Sequence, residues 1–326
     1  MIKLAIDAMG SDLGSKVVVK AIKDFLRDYN DVSFYVCGKE SELSEIKDLV
    51  TIIHTDEVMT MTDGALEVMR KKNTSMMKAI DLVSNHTCDG VVSAGSTGAF
   101  LTGATIKLKM IEGVSRAALM SPFPTRDGKG VTILDIGANT ENTKEHLLQF
   151  AKMGSIFTEN VRKIANPKVY LLANGAEDKK GSHVGKEAFP LLKECSSINF
   201  IGNMEARDVL DGKADVVVCE GFSGNVLLKS IEGTASMMND AIKKAFKRSF
   251  VSKIGYLFAK KGFDEFKQVF DYRKYGGAML LGVNGVVVKG HGNSNDYAFY
   301  NAIRVAYEMV KADVLSKMKE AMKDGE

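Results

Sequence analysis

The sequence predicts an α/β fold in which helices cover both faces of a mostly parallel sheet. Short apolar runs rich in Val, Ile and Leu alternate with longer segments whose apolar residues recur every three or four positions. The short runs are typical of strands buried on both faces, and the alternation with helices is typical of a parallel sheet. Gly- or Asn-containing loops separate most of these segments, so we expect repeated strand–loop–helix units in three layers.

The predicted strands, in chain order, are 2–7, 32–37, 89–93, 131–136, 168–172, 198–201, 215–219 and 284–288. The predicted helices are 16–29, 145–164, 186–194, 225–248 and 296–322. No internal repeat, low-complexity tract or clear linker interrupts this pattern. We therefore interpret 1–326 as a single α/β/α domain that carries a helical arm.

Composition excludes several classes of protein. Hydrophobic content of 45%, charged content of 26% and a net charge of +3 are typical of a globular protein and do not favour nucleic-acid binding. The four cysteines form no C-x-x-C pair, which favours free buried thiols in a reducing compartment. The segment MIKLAIDAMGSD contains no export signal, and the uncharged runs 90–106 and 275–288 are too short or too polar to span a bilayer. We expect a cytosolic protein.

Polar loops follow the predicted strands, where ligands bind in open α/β sheets. SAGSTGAF follows an apolar strand and opens a helix, so its backbone amides and hydroxyls could hold an anion. The residues concerned are Gly95, Ser96, Thr97 and Gly98. A capped helix start with no ligand explains the same pattern equally well.

EGFSGN resembles the G-x-S-x-G turn of serine hydrolases, with Asn225 in place of the last Gly. A nucleophilic Ser223 would need His291, the only downstream His, and an acid such as Asp264 or Asp271. Because Asn225 replaces the small residue that permits the sharp turn, anion or oxyanion binding is the favoured interpretation.

Other loops supply charged and amide side chains. GAEDKKG places Lys179 and Lys180 beside two acids, where one ammonium could meet a phosphate or a departing thiolate and the other is solvated. The remaining candidates are Glu205, Arg207 and Asp208 of NMEARD, Glu220, and Asn139 of DIGANTEN. Arg207 among carboxylates is more typical of a structural salt bridge, and Asn139 could simply cap a helix. The five His residues show no metal-ligand spacing, so we predict no metal.

The segment 243–274 differs from the rest of the chain. It contains ten Lys or Arg against three acids, interleaved with aromatic and aliphatic residues. Such a basic amphipathic stretch is typical of a membrane surface or an acidic partner, or of a helical arm that packs on a second subunit.

Taken in order, DAMGSD, SAGSTGA, ILDIGAN, EDKKG, NFIGNMEARD, EGFSGN, KYGGAMLLG and KGHGNSND resemble the bacterial phosphate acyltransferases of the PlsX family. The likeness extends from Ile2 to about Lys319. It implies a fold similar to isocitrate and isopropylmalate dehydrogenases, without a cofactor. It also implies a homodimer, loosely associated with the inner face of the membrane, that transfers an acyl group from acyl carrier protein to inorganic phosphate. A membrane glycerol-3-phosphate acyltransferase then uses the acyl phosphate for phospholipid synthesis.

The resemblance also assigns residues. It implies catalytic roles for Lys180, on the phosphate or the leaving thiolate, and for Asn225, on the oxyanion. The residues expected to bind substrate are Asp7, Gly95, Ser96, Thr97, Gly98, Asn139, Glu205, Arg207, Asp208, Glu220, Gly221, Gly224 and His291. Those expected to contact membrane or carrier are Phe250, Ile254, Leu257 and Phe258.

Two departures from the family pattern concern Ser11 and Ser96, where the family commonly has Gly and Asn. The Cβ of Ser11 predicts a negative φ at that position.

Two rival functions are a serine thioesterase that uses Ser223 and His291, and a lipid-surface scaffold without chemistry.

Overall fold

The computed structural model describes residues 1–269 and 272–323, without the side chains of residues 253 and 264–273. The strands in this part of the chain are β1 (Ile2–Asp7), β2 (Val32–Gly38), β3 (Thr51–His54), β4 (Gly90–Ser93), β5 (Ala118–Phe123), β6 (Val131–Leu134), β7 (Lys168–Ala173), β8 (Asn199–Glu205), β9 (Val216–Val218), β10 (Ala278–Leu281) and β11 (Val286–Lys289). The α-helices are α1 (Ser15–Asp28), α2 (Ser75–Ser84), α3 (Thr97–Leu108), α4 (Lys144–Asn160), α5 (His183–Glu194), α6 (Gly221–Lys247), α7 (Phe250–Val269), α8 (Asp296–Lys311) and α9 (Val314–Lys323).

The strands form one sheet in the order β3-β2-β1-β4-β11-β10-β5-β6-β9-β7-β8. Neighbouring strands are parallel except at β11–β10, β10–β5 and β5–β6. These three reversals make β6, β9, β7 and β8 run opposite to β1, β2, β3, β4 and β11. The carboxyl ends of the two groups therefore lie at opposite edges of the sheet, which we call the first edge (β1, β4, β11) and the second edge (β6 to β9).

Successive strand residues point to opposite faces of the sheet. Both faces carry buried apolar residues, and helices cover both. In β1, Leu4 and Ile6 join the cluster that packs under α1, α4, α5, α8 and α9. Ala5 faces the other side, where it packs with residues of α2 and α3. The predicted three-layer α/β/α arrangement is thus present.

Every predicted strand has a counterpart in the structure, while β3, β5 and β10 were not predicted. The predicted helix 296–322 is wrong as one element. Asp313 adopts a positive φ of 52° between α8 and α9, which turns the chain and ends the first helix. Ser11 does not adopt a positive φ, in agreement with the expectation from its Cβ.

The helices α6 and α7 pack against each other, and the end of α6 and all of α7 fall within the predicted arm at 243–274. Their contact includes an aromatic cluster in which Phe246 lies 4.6 Å from Phe263 and 5.4 Å from Tyr256, ring centre to ring centre. The division of the chain into one domain with an arm at 243–274 stays a prediction. No helix in the described residues is long and apolar enough to cross a bilayer.

Candidate active site

The loop that carries Lys180 joins β7 to α5 at the second edge. Its tight turn is held by the Lys180 amide, which donates to the Glu177 carbonyl at 2.9 Å. The Gly181 amide donates to Asn174 Oδ1 at 2.8 Å. Lys180 is exposed, and no carboxylate of the described residues lies within 4.0 Å of its ammonium. The Lys180 ammonium therefore forms no ion pair within the described residues.

Asn203, near the end of β8, supports this loop from beneath. Its Nδ2 donates to the carbonyls of Glu177 at 2.8 Å and Lys180 at 3.3 Å. The side chain is 6% exposed, and its Oδ1 is buried without a hydrogen-bond partner among the described residues. The sequence analysis did not single out Asn203, although a polar residue near the end of a strand signals a special role.

The start of α6, directly after β9, packs face to face on the loop after β6. A Cβ on Gly221 would overlap the Asn139 carbonyl, and one on Gly224 would overlap the Asp135 carbonyl. The Gly221 amide donates to Asn142 Oδ1 at 3.0 Å, while Asn142 Nδ2 is buried without a partner in the described part of the chain. Close backbone approach thus explains both glycines.

Asp135 organises the loop after β6. Its Oδ1 accepts from the amides of Leu119, Gly137 and Ala138 at 2.9–3.0 Å. Its Oδ2 accepts from the amide and the Nδ2 of Asn139 at 2.9 and 2.8 Å. Burial raises the pKa of Asp135, whereas these hydrogen bonds act in the opposite direction. Asn139 Nδ2 also donates to the Ala117 carbonyl, so both of its amide hydrogens are used within the loop.

Asn225 is exposed near the start of α6, against Gly137. A Cβ on Gly137 would lie 3.3 Å from the Cβ of Asn225, and Gly137 has a φ of 128° that favours glycine. Gly137 therefore leaves room for the Asn225 side chain near the start of α6.

A cavity of about 600 Å³ opens between these loops, lined by Asn174, Gly181, Ser182, Glu205, Arg207, Glu220 and Ser223 among others. Ser182 Oγ donates to Glu220 Oε1 at 3.0 Å. Arg207 Nε lies 3.0 Å from Glu205 and 3.9 Å from Asp208, as the salt-bridge interpretation expects. The cavity thus brings together Glu205, Arg207 and Glu220 of the predicted residues, while Lys180 and Asn225 lie at the same edge outside its lining.

The other predicted residues lie at the first edge. Asp7 is buried and accepts from Ser75 Oγ at 2.7 Å, Ser93 Oγ at 2.6 Å and the amides of Met9 and Gly10. Ser96 Oγ donates to the Asp63 carbonyl and does not cap α3. Gly95 is buried behind it, while Thr97, Gly98 and His291 are exposed. The predicted substrate-binding residues therefore divide into two groups.

Lys289 is a buried residue of the first edge that the sequence analysis missed. Its side chain donates to the Gly290 carbonyl and is 6% exposed. Burial lowers its pKa to about 8, although the charges of Asp7 and Asp12 oppose the shift. A Lys at the end of the apolar run VVVK was the available signal.

The thioesterase arrangement is not assembled. Ser223 follows β9 at the second edge, whereas His291 follows β11 at the first, so they lie at opposite ends of antiparallel strands. Asp271 lies outside the described residues, as does the Asp264 side chain. Within the described residues, no group of three or more His, Cys, Asp or Glu side chains could hold a metal ion.

The sequence matches the family model "Fatty acid synthesis protein" over residues 2–317. It is 45% identical to a phosphate acyltransferase from Exiguobacterium sibiricum, over 99% of each chain. It is 43% identical to one from Bacillus thuringiensis, over 98% of each chain. The chain belongs to the phosphate acyltransferase family. It is therefore an enzyme that transfers an acyl group to phosphate.

Solved structures with the same fold support the α/β assignment. A phosphotransacetylase from Staphylococcus aureus matches 95% of this chain and 94% of its own with a TM-score of 0.60 at 20% identity. An isocitrate dehydrogenase from Methylococcus capsulatus matches 100% of this chain and 92% of its own, with a TM-score of 0.50 at 10% identity. The predicted likeness to isocitrate dehydrogenase is confirmed as a likeness of fold.

Proposed function

We propose that this protein transfers a long-chain acyl group from acyl carrier protein to inorganic phosphate, yielding acyl phosphate and free carrier for phospholipid synthesis. The observation that carries this proposal is that Lys180 and Asn225 both lie at the second edge, next to Gly181 and close to Ser223, which line the cavity there. That equipment suits a reaction with an anionic nucleophile and an oxyanion.

The reaction needs no covalent intermediate, because inorganic phosphate is ionised at neutral pH and is itself nucleophilic. A phosphate oxygen attacks the thioester carbonyl carbon and forms a C–O bond. The C–S bond then breaks, and the carrier leaves as a thiolate that takes a proton from solvent. Lys180 stabilises the phosphate or the thiolate, and the side-chain amide of Asn225 donates to the developing oxyanion.

The remaining substrate-binding assignments follow from position. Glu220, Gly221 and Gly224 shape the start of α6, where Asn225 lies, and Arg207 keeps free N–H donors beside its partners Glu205 and Asp208. Asp7, His291 and the SAGSTG loop lie at the first edge, away from the second-edge cavity. They stay predicted substrate contacts.

The partners follow from charge and exposure. Acyl carrier protein is strongly acidic and the inner leaflet is anionic, so both suit the basic arm. Phe250, Leu257 and Phe258 are 77%, 70% and 89% exposed, and Ile254 is 41% exposed, which favours contact with an apolar surface. We infer a cytoplasmic homodimer, loosely membrane-associated, that supplies a membrane glycerol-3-phosphate acyltransferase and binds no nucleic acid.

The test is release of carrier thiol from palmitoyl-acyl carrier protein, with and without inorganic phosphate. Release should require phosphate and should fall at least about a hundredfold in Lys180→Ala, in the range typical of a lost electrostatic catalyst. Lys179→Ala is the matched control, since it removes the neighbouring charge, and should retain activity. Release that does not depend on phosphate contradicts the proposal and restores the thioesterase, while absence of any release favours the scaffold.

A further inference from the structure

A second cavity lies in the arm, between α6 and α7. Its volume is about 600 Å³, within the range of roughly 300–1,000 Å³ that is usual for small-molecule sites. The lining of this cavity begins at Asn239 on α6. The helix from Gly221 to Asn239 is about 27 Å long, at about 1.5 Å per residue. This arm cavity is therefore separate from the second-edge site.

The wall that α6 contributes has an apolar row and a cationic row. Ile242 and Phe246 are four residues apart and half-buried, so they lie one above the other on the face that meets α7. Lys243 and Lys247 form the adjacent row and are exposed. Lys243 also lies 3.6 Å from Asp240, but an exposed pair of this kind is weak.

The wall that α7 contributes is apolar. It consists of Phe250, Ile254, Tyr256, Leu257 and Phe263. The rings of Tyr256 and Phe263 pack against Phe246 and hold the two helices together. A ligand in this cavity would meet hydrocarbon and aromatic surface along its length and two ammonium groups at the mouth.

We propose that the arm cavity binds one single-chain anionic lipid, with its hydrocarbon chain between α6 and α7 and its anionic head against Lys243 and Lys247. The ligand class that fits is a long-chain acyl phosphate, the product that the enzyme releases; this identification rests on the proposed function. The concave shape suits one chain rather than a flat bilayer surface, and the paired lysines suit a phosphate head.

The chain contains no Trp, so Phe250→Trp introduces a unique fluorescent reporter into the lining. The probe is hexadecyl phosphate below its critical micelle concentration, a stable analogue of an acyl phosphate. We expect the Trp emission to shift to the blue and to saturate at one hexadecyl phosphate per chain. Lys243→Gln and Lys247→Gln, each made in the reporter, should weaken binding about tenfold, equivalent to about 1.4 kcal/mol.

Lys244→Gln is the matched control, because it removes the same charge from the same turn but does not line the cavity. Equal weakening by all three lysine variants would overturn the proposal, as would the absence of a saturable shift. A shift that grows with protein concentration alone would mean that a second copy covers the cavity. A shift with phosphatidylglycerol vesicles but not with hexadecyl phosphate would mean that the arm meets only a bilayer.

Phosphate-dependent thiol release, measured on the same variants, separates this inference from the proposed function. Normal release without hexadecyl phosphate binding would remove the arm site alone. Binding without phosphate-dependent release would keep the lipid site and reject both the proposed reaction and the product as its ligand.

Discussion

Replacement of Asn203 by Ala should slow the reaction although Asn203 contacts no reacting group. Its Nδ2 holds the carbonyls of Glu177 and Lys180 at 2.8 and 3.3 Å. A buried hydrogen bond of this kind contributes about 1 kcal/mol net, so two contribute up to about 2 kcal/mol to the loop conformation. Since about 1.4 kcal/mol corresponds to a tenfold change in rate, kcat should fall by up to about 30-fold.

The assay is phosphate-dependent thiol release, with kcat and KM determined separately. We expect kcat to fall and the KM for the acyl carrier to stay unchanged, because the loop positions Lys180 and not the carrier. Asn203→Asp should be equally impaired, since it keeps the shape but loses the donor. Asn199→Ala is the control: it lies on the same strand, and its Nδ2 donates to the Asn166 carbonyl at 3.1 Å, away from the loop.

A double-mutant cycle makes this reasoning refutable. If Asn203 acts only through Lys180, adding Asn203→Ala to Lys180→Ala should cause no further loss. Additive losses, or an equal loss of kcat in Asn199→Ala, would show that Asn203 serves general stability and does not position the lysine.

Three further predictions concern other parts of the molecule. Ser223→Ala should leave phosphate-dependent thiol release unchanged, because His291, its partner in the thioesterase arrangement, lies at the opposite edge of the sheet; loss of release in this variant would identify Ser223 as the nucleophile. Lys289 has a pKa of about 8 in the folded protein, against an ordinary value of 10.5. Between these two pH values the unfolded chain therefore binds more protons than the folded one. The free energy of unfolding should rise with pH in this range, by up to about 3 kcal/mol. Urea unfolding of wild type and Lys289→Met at pH 7.5 to 10.5 measures this, and parallel pH profiles in the two proteins would argue against a desolvated ammonium. Replacing Ile254, Leu257 and Phe258 together by Asp should abolish liposome co-sedimentation while leaving turnover of carrier substrate intact, and liposome binding that persists would show that another surface docks.

Local patterns were sufficient for most of the fold. The run VVV of β9 and the alternating pattern of β1 are buried strands because their apolar side chains leave water on both faces of the sheet. Two of the strands that were missed carry weaker patterns: β3 has no fully buried residue, and β5 contains Ser121 and Pro122. The prediction of one helix over 296–322 missed the turn at Asp313, because no Gly or Pro stands there.

The candidate site was only partly accessible from sequence. The loops of Lys180 and Asn225 were identified as strand-end loops, and both lie at the second edge. Asn203 and Ser182 were not identified, because their roles depend on which loops lie above and beside them, and hydrogen bonds between distant segments leave no local periodicity.

The sequence by itself determined the fold class, the buried strands, the polar loops at their ends and, through ordered motifs, the family. Only the tertiary structure decided that these loops divide between two edges of the sheet. The cause is the insertion of β10 and β5, whose antiparallel pairing reverses the chain direction between β11 and β6. Strand direction is set by which neighbour a strand pairs with, a long-range choice of backbone hydrogen bonds that the side-chain pattern of a four- or six-residue strand does not encode.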